Sequence, residues 1–343
     1  MVGYSPALDP VTTGWCQHGI VVDQTMELVR RCFPHGTPAE FDALRRSLVA
    51  ALPDYDSRNL TALFHHSLAT FVAQRCDISG PSFCVDRGGI SSVIAIQAAC
   101  DALREERVDL AIAGGIQGLV TPQLLMPLSR LGLISKSGTL LPFGQNADGT
   151  LLGEGGGFVA LKRHSDAVRD GNRIYAIVKA CGMSSDGKTR HADGGLADAV
   201  RAAWRHAPSE VDTIDLFEAC GMGVPALDRA EIKTMNALLG PSLPPESVAL
   251  GSVKALIGHC GAAAGVASAV KAALSLYHRI IPPGQEAGRI APALNLGETP
   301  FYINPRPRPW VHNDAGPARR AGIAATALGG AAAYLVLEQS TLP

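Results

Sequence analysis

Apolar and polar residues alternate along the second half of the chain in segments of two kinds. Short apolar runs are typical of buried strands, and longer segments with apolar residues three and four positions apart are typical of helices. The pattern predicts strands at 174–180, 213–218, 248–252, 323–327 and 334–338, and helices at 196–206, 225–239 and 259–277. Strands that alternate with helices predict a largely parallel sheet covered on both faces, which is an α/β fold.

The beginning of the chain is less regular. Residues 1–14 are rich in Pro and Gly and predict an irregular end, and 19–23 predicts a short strand. Thr37 and Pro38 are a typical helix start, so a helix is predicted from there through residue 51. Its apolar positions share one buried stripe, which consists of Phe41, Leu44 and Leu48.

The rest of the first half repeats the alternation. A second helix is predicted at 60–74, strands at 82–85, 108–113 and 158–161, and a helical or irregular excursion at 119–137. The glycine-rich run 153–157 lacks the Lys-Ser/Thr pair of a phosphate-binding loop and leads into a strand, so it predicts close backbone packing rather than a nucleotide site.

The segment from 81 to 103 is the most informative part of the sequence. An apolar strand leads through the turn 86–89 into a strongly apolar helix, and such a turn faces the free amides and positive dipole end of the helix. This is a favourable place for a nucleophile of lowered pKa. The turn offers Arg87, Gly88 and Gly89, none of which can attack a substrate.

Composition excludes several classes of function. A chain of 343 residues with 47% hydrophobic and 18% charged residues can bury a large core. A net charge of −1 gives no global attraction to nucleic acid or anionic membranes. The eight cysteines form no CxxC pair, which favours reduced core residues in a cytoplasmic protein, and no signal peptide or membrane span is visible. We expect no cofactor and no metal site.

Five segments match, in order, the motifs of one enzyme family. Residues 85–93 read VDRGGISSV against VDTACSSSL, and residues 142–157 read PFGQNADGTLLGEGGG against PFDADADGYVRGEGAG. EACGMGV at 218–224 corresponds to EAHGTGT, KALIGH at 254–259 to K-x-x-x-G-H, and ALGG at 327–330 to GFGG. The chain therefore resembles the β-ketoacyl synthases of the thiolase superfamily, from about Arg58 to Glu338.

The resemblance assigns family roles to single positions. Gly89 stands where the family has its nucleophilic cysteine, and Cys220 stands where it has the first catalytic histidine. Lys254 and the second histidine, His259, are retained. Leu328 replaces the gating phenylalanine and is expected to keep its packing role. Since condensation needs a thiolate and two imidazoles, the resemblance implies no independent condensation and weak decarboxylation.

The resemblance also implies an architecture. The expected fold is thiolase-like, duplicated and layered α-β-α-β-α, with halves at 1–170 and 171–343 in one compact unit. Family members carry a longer segment before the nucleophile than the 88 residues here, so the first half is expected to be shortened at its N-terminus. A sheet that lacks a strand has an open edge, which a partner subunit can cover.

Within the family, a chain without the cysteine is most similar to a chain length factor of a type II polyketide synthase. Such a subunit forms a heterodimer with an active ketosynthase, reaches an acyl carrier protein through that complex, and shapes the tunnel for the growing chain. The strand before the turn pairs across the interface, which makes Ser82, Phe83, Cys84 and Val85 interface candidates. The stripe Phe41, Leu44 and Leu48 is a candidate tunnel wall together with Leu328; the alternative for the stripe is an ordinary core face.

Two other functions stay open. Cys220 could act as a relocated nucleophile with His259 as its base, giving residual decarboxylase or acyltransferase activity. Alternatively, the chain is a homodimeric scaffold or acyl-binding protein. For Lys254 and His259 the alternative to catalysis is a packed remnant that holds the turn at 258–265. Metal binding by Cys220, His259 and Cys260 is a weaker hypothesis.

Overall fold

The computed structural model describes residues 1–4, 17–52, 67–118, 120–187, 193–206, 213–284, 290–311 and 318–340. The chain divides into two compact units, one formed by Pro6–Ser82 and the other by Met1–Ser5 together with Phe83–Pro343. This division differs from the expected single unit with halves that meet at residue 170.

The smaller unit is helical in its described residues. It contains α1 (Val22–Cys32), α2 (Pro38–Ala50) and α3 (Ser67–Arg75). The predicted start of α2 is confirmed: the Thr37 hydroxyl accepts from the Glu40 amide, and the Glu40 carboxylate accepts from the Thr37 amide. The predicted strand at 19–23 is wrong, because a π-helical turn at Gln17–Val21 leads directly into α1.

The predicted buried stripe on α2 is also wrong. No residue of α2 is buried, and Leu44 is 37% exposed. Phe41 packs under the Arg30 guanidinium, 5.8 Å from the ring centre, and an Asp23–Arg45 ion pair of 2.7 Å joins α1 to α2. Contacts with charged side chains of α1 therefore replace the expected core contacts.

The larger unit begins with a four-stranded sheet in the order β2-β1-β3-β4. Its strands are β1 (Val2–Tyr4), β2 (Cys84–Val85), β3 (Ala111–Gln117) and β4 (Gly155–Leu161). β1 runs parallel to β2 and β3, whereas β4 is antiparallel to β3. The predicted irregular start is thus wrong for residues 2–4. Gly3 allows the close approach, because a Cβ there would lie 2.5 Å from the Ser92 amide nitrogen.

Three helices belong to this half of the larger unit. They are α4 (Ser91–Arg104), α5 (Pro122–Arg130) within the predicted excursion, and α6 (His164–Arg169).

The second sheet has the order β5-β12-β11-β6-β7-β9, and a short β8–β10 pair lies apart from it. It is mixed because β12 runs antiparallel to β5 and β11, but the sheet is otherwise parallel, as predicted. The strands are β5 (Ile177–Ser185), β6 (Leu216–Glu218), β7 (Val248–Gly251), β8 (Ile280–Ile281), β9 (Phe301–Ile303), β10 (Arg308–Pro309), β11 (Arg320–Ala327) and β12 (Ala331–Glu338).

The helices of the second half are α7 (Asp193–His206), α8 (Pro225–Leu239), α9 (Lys254–Ile257) and α10 (Ala264–His278). The helix predicted at 259–277 begins later, at Ala264, because Gly261 has a φ of +42° and a 3₁₀ turn at Gly261–Ala263 precedes α10. None of the helices in the described ranges is long and apolar enough to cross a membrane.

The layers of the larger unit follow the expected arrangement. Helices α4 and α10 contact strands of both sheets and contribute to one apolar core. A second core lies between the second sheet and helices α7 and α8. The central layer of two helices therefore brings the end of each sheet to one place, where the motif residues meet.

Candidate functional site

The motif residues converge at the end of β11. A Cβ added to Gly89 would lie 2.5 Å from the Thr326 carbonyl oxygen and 3.6 Å from His259 Cε1. The Cys220 sulfur lies 3.1 Å from the Thr326 hydroxyl. Cys220 and His259, which follow Gly89 in the sequence by 131 and 170 residues, thus lie with it around the end of β11.

The turn before α4 contains Gly89, the position at which the family's cysteine side chain is absent. Asp86 accepts from the Gly88 amide at 2.9 Å, while Ser91 accepts from the Arg87 amide and donates to the Gly88 carbonyl. Gly88 has φ +57°, which favours glycine. These contacts fix the backbone so that Gly89 faces the Thr326 carbonyl, which lies too close to the Cβ position for a larger residue.

His259 is buried and held in one tautomer. Its Nδ1 accepts a hydrogen bond of 3.0 Å from the Gly261 amide, so the proton of the neutral ring is on Nε2. Burial, with the nearby charge of Lys254 as a second cause, lowers the pKa of His259 to about 3. The ring is therefore a neutral hydrogen-bond donor at physiological pH and a weak base.

Cys220 is buried, and its contacts do not form the predicted Cys220/His259 dyad. Its sulfur contacts the Thr326 hydroxyl, whereas His259 Nδ1 is occupied by the Gly261 amide. Burial raises the pKa of the Cys220 thiol. Since the pKa of the thiol is raised and its hydrogen-bond partner is the neutral Thr326 hydroxyl, the proton stays on sulfur and nucleophilic chemistry at Cys220 is disfavoured.

Two buried carboxylates that the sequence analysis missed support the loop at 219–223. Glu231 accepts from the Cys220 and Gly221 amides at 2.7 and 2.9 Å, and Asp228 accepts from the Met222 and Phe143 amides at 2.9 Å each. Burial raises the pKa of Glu231 to about 7 and that of Asp228 to about 6. Their spacing of three residues on the apolar face of a predicted helix was an available signal.

A third buried carboxylate, Glu218, links this loop to α10. It accepts from the Val253 amide and pairs with the Lys271 ammonium at 2.6 Å. Lys254 is buried nearby, where its charge acts on the pKa values of His259, Asp228 and Glu231. The described residues contain no group of three or more metal-ligating side chains placed to hold an ion.

The other predicted site residues lie elsewhere. Leu328 is 60% exposed in the turn after β11, so its predicted packing role is wrong for this chain alone. Of the interface candidates, Cys84 and Val85 form β2 at one edge of the first sheet, Phe83 precedes it, and Ser82 belongs to the smaller unit. The proposed tunnel stripe also belongs to the smaller unit.

The lowered pKa of His259 makes the stability of the chain depend on pH. Because its pKa in the folded chain lies below the unfolded value of 6.5, the unfolded chain binds the proton more tightly, and stability is lost as pH falls below 6.5. Between pH 6.5 and 5 this loss amounts to about 2 kcal/mol. Urea unfolding of His259→Gln should lack this part of the acid destabilisation. Parallel curves for both proteins over this range would contradict the assignment.

The arrangement can be compared with known proteins. Residues 39–167 match the N-terminal domain of β-ketoacyl synthases, and residues 175–287 match the C-terminal domain. The chain belongs to the β-ketoacyl synthase family. Its fold is the ketosynthase-like thiolase fold, as the resemblance implied, and the family's motif positions are those that meet at Thr326.

Relatives of this ketosynthase homologue occur in polyketide synthases. One polypeptide of the phenolphthiocerol/phthiocerol polyketide synthase of Mycobacterium tuberculosis is 34% identical over 301 residues, which cover 86% of this chain and 19% of that polypeptide. Another, from the phenolphthiocerol/phthiocerol polyketide synthase of Mycobacterium bovis, is 36% identical over 293 residues, which cover 84% of this chain and 16% of that polypeptide.

Solved ketosynthases share the fold. The ketosynthase from module 6 of the Bacillus subtilis 168 bacillaene synthase has a TM-score of 0.76 and 28% identity, covering 81% of this chain and 50% of that one. The oxazolomycin ketosynthase domain of Streptomyces albus JA3453 has a TM-score of 0.75 and 31% identity, covering 88% and 52%. The chain thus spans about half of these ketosynthases and under a fifth of the curated relatives.

Proposed function

We propose that this ketosynthase homologue is a non-condensing subunit of polyketide synthesis, which pairs with an active ketosynthase and shapes its acyl chamber in the manner of a chain length factor. The observation that carries the proposal is Gly89, whose Cβ position is closed by the Thr326 carbonyl. The position lacks both a nucleophile and the room for one.

The remaining groups support a non-condensing role. His259 keeps a neutral ring with its donor at Nε2, but Cys220 stands in place of the family's first catalytic histidine and contacts Thr326. The loss of one oxyanion donor costs about 10²–10³ in rate in enzymes that retain the nucleophile. With the nucleophile missing as well, the covalent step has no starting group.

The relatives support polyketide synthesis as the setting. Those named above are parts of large polyketide synthases or ketosynthases of such modules. The pairing with a separate ketosynthase and the approach of an acyl carrier protein through that complex are the finer parts of the proposal, and they extend beyond what these names state.

The first sheet offers an edge for the partner. β2 lies at one end of the sheet order, and Phe83, directly before it, is 36% exposed. An edge strand can extend its sheet across a two-fold interface, which suits a partner of the same fold.

Co-expression with a candidate ketosynthase tests the pairing. We expect the two chains to co-elute in one complex, and Phe83→Asp to reduce complex formation at least tenfold because it places a charge beside the β2 edge. Phe158→Asp is the matched control: Phe158 is 46% exposed on β4 at the opposite edge and should leave the complex intact. Equal loss in both variants, or no complex with any ketosynthase, would contradict the proposal.

The same purified proteins distinguish the proposed function from the two alternative functions. Acyl loading of the purified chain that disappears in Cys220→Ala would favour an enzyme that uses Cys220 as a relocated nucleophile. A stable homodimer that does not bind ketosynthases would favour the scaffold. We expect neither, since the Cys220 thiol has a raised pKa and no strong base contacts it among the described residues.

A further inference from the structure

The loop at 219–223 is attached to α8 through two carboxylates. All four oxygens of Glu231 and Asp228 accept hydrogen bonds from backbone amides, at 2.7 to 2.9 Å. The donors are the amides of Cys220, Gly221, Met222 and Phe143. Since three of these four amides belong to the loop, the carboxylates determine where its backbone lies.

Two other hydrogen bonds fix the ends of this loop. The Ser252 hydroxyl donates to the Cys220 carbonyl at 3.2 Å, and the Gly149 amide donates to the Gly223 carbonyl at 2.9 Å. Between these ends, Gly221 has φ +50°, in the left-handed region that favours glycine. The ends are thus held by neutral groups, and the middle of the loop is held by the carboxylates.

Both carboxylates are buried, and the donors that contact them are uncharged amides. Asp228 is 2% exposed and Glu231 is 6% exposed. Burial raises the pKa of Glu231 to about 7 and that of Asp228 to about 6, while the nearby charge of Lys254 lowers both pKa values by less than burial raises them. A small drop in pH below neutrality therefore adds protons to this pair.

The other charged groups around α8 are exposed to solvent. Helix α7 and the 3₁₀ turn Pro292–Leu294 pack against α8, and this turn contains no titratable residue. On the side of the site, the Cys220 thiol has a raised pKa and His259 has a pKa of about 3, so both stay neutral between pH 8 and pH 5.5. The exposed groups are Asp148 in the segment after Phe143, Asp198, Arg201 and Arg205 on α7, and Arg229 and Lys233 on α8.

Protonation changes what a carboxyl group can bind. An ionised carboxylate only accepts hydrogen bonds, whereas the protonated group carries one O–H donor. Because each oxygen of Asp228 and Glu231 faces an amide donor, an added proton displaces one of these hydrogen bonds. The loop then keeps the bonds at its ends and loses part of its support in the middle, next to the contact of 3.1 Å between the Cys220 sulfur and the Thr326 hydroxyl.

We propose that the loop at 219–223 is a pH-dependent clamp on the end of β11: the ionised carboxylates of Asp228 and Glu231 hold it in place at alkaline pH, and their protonation in mild acid releases it. Release withdraws Cys220 from Thr326, whose carbonyl closes the Cβ position of Gly89. Acidification thus loosens the strand end that blocks the site. The clamp depends on these local contacts and operates whether or not the chain pairs with a ketosynthase.

The stability of the whole chain responds in the opposite direction. Because the pKa of Glu231 in the folded chain lies above the unfolded value of 4.5, the folded chain binds this proton more tightly, and the contribution of Glu231 to stability rises as pH falls from 7 towards 4.5. A loop that loosens in this range is therefore a local opening and not the beginning of acid unfolding.

Hydrogen–deuterium exchange of the full chain at pH 8 and pH 5.5 tests the clamp. The readout is the protection factor, which is the intrinsic exchange rate at each pH divided by the observed rate. For the amides of 220–222 we expect it to fall at least tenfold from pH 8 to pH 5.5. The amides of β12, which lie in the centre of the second sheet, should change by less than twofold.

A pair of double variants identifies the groups that are responsible. Asp228→Asn/Glu231→Gln cannot ionise, so the loop should have low protection that differs by less than twofold between the two pH values. Asp198→Asn/Glu298→Gln changes two exposed carboxylates and should behave as the wild type. The wild-type comparison of the loop with β12 decides the proposal even where a variant misfolds. Equal loop protection at both pH values, an equal fall in β12, or a fall that persists in Asp228→Asn/Glu231→Gln would overturn it.

Discussion

Introducing the family's cysteine with Gly89→Cys is expected to destabilise the chain by about 1–3 kcal/mol and to create no condensing activity. The added Cβ would lie 2.5 Å from the Thr326 carbonyl oxygen, so the end of β11 or the turn before α4 must shift, and overpacking of this kind costs that amount. The thiol would also lie near His259, which is a weak base because burial lowers its pKa to about 3.

Two glycine-to-alanine variants provide the control. Gly89→Ala should show a similar loss in urea unfolding, because it adds the same Cβ, whereas Gly297→Ala should change the free energy of unfolding by less than about 0.5 kcal/mol. A Gly89→Cys protein of full stability that carries an acyl group from a thioester donor would show that only the nucleophile was missing.

The largest loss of stability is expected for Lys271→Met, at about 3 kcal/mol. Lys271 pairs with Glu218 at 2.6 Å, and the Glu218 side chain is 1% exposed. Removal of the Lys271 ammonium leaves the Glu218 carboxylate buried without its counter-charge, and such changes cost about 3–5 kcal/mol. Because Glu218 also accepts from the Val253 amide, the loop that leads to Lys254 should loosen at the same time.

Lys162→Met is the matched control. Its ion pair with Asp170 has side-chain exposures of 23% and 35%, so solvent screens the attraction and we expect a much smaller loss than for Lys271→Met. Urea unfolding of both variants measures the difference. Equal losses would show that the Glu218–Lys271 pair contributes no more than a surface pair.

The positions of the site residues could be predicted from the sequence better than the strands of the first sheet. Gly89, Cys220 and His259 meet as their motif positions implied, because each follows or precedes a strand whose apolar run is evident in the sequence. β1 was missed since three residues, one of them a glycine, are too few to show a period. Its strand character comes from pairing with β2 and β3, which are distant in the chain.

The α2 stripe was wrongly predicted to be buried, and the buried carboxylates Asp228 and Glu231 were missed, for opposite reasons. Phe41 and Leu44 have helical spacing, but spacing does not show which partner a face meets, and α2 meets charged residues of α1. Glu231 and Asp228 lie within the predicted helix 225–239, where no motif singles them out. Burial raises their pKa values, and hydrogen bonds from loop amides offset the cost of burying them.

The central claim is that this ketosynthase homologue acts through a partner and holds no acyl group itself. Intact-mass spectrometry of a reconstituted complex with a ketosynthase, a loaded acyl carrier protein and the extender tests it most directly. The account predicts acyl adducts on the ketosynthase cysteine only, with product formation that depends on this chain. An acyl adduct on this chain, or full product from the ketosynthase without it, would contradict the account.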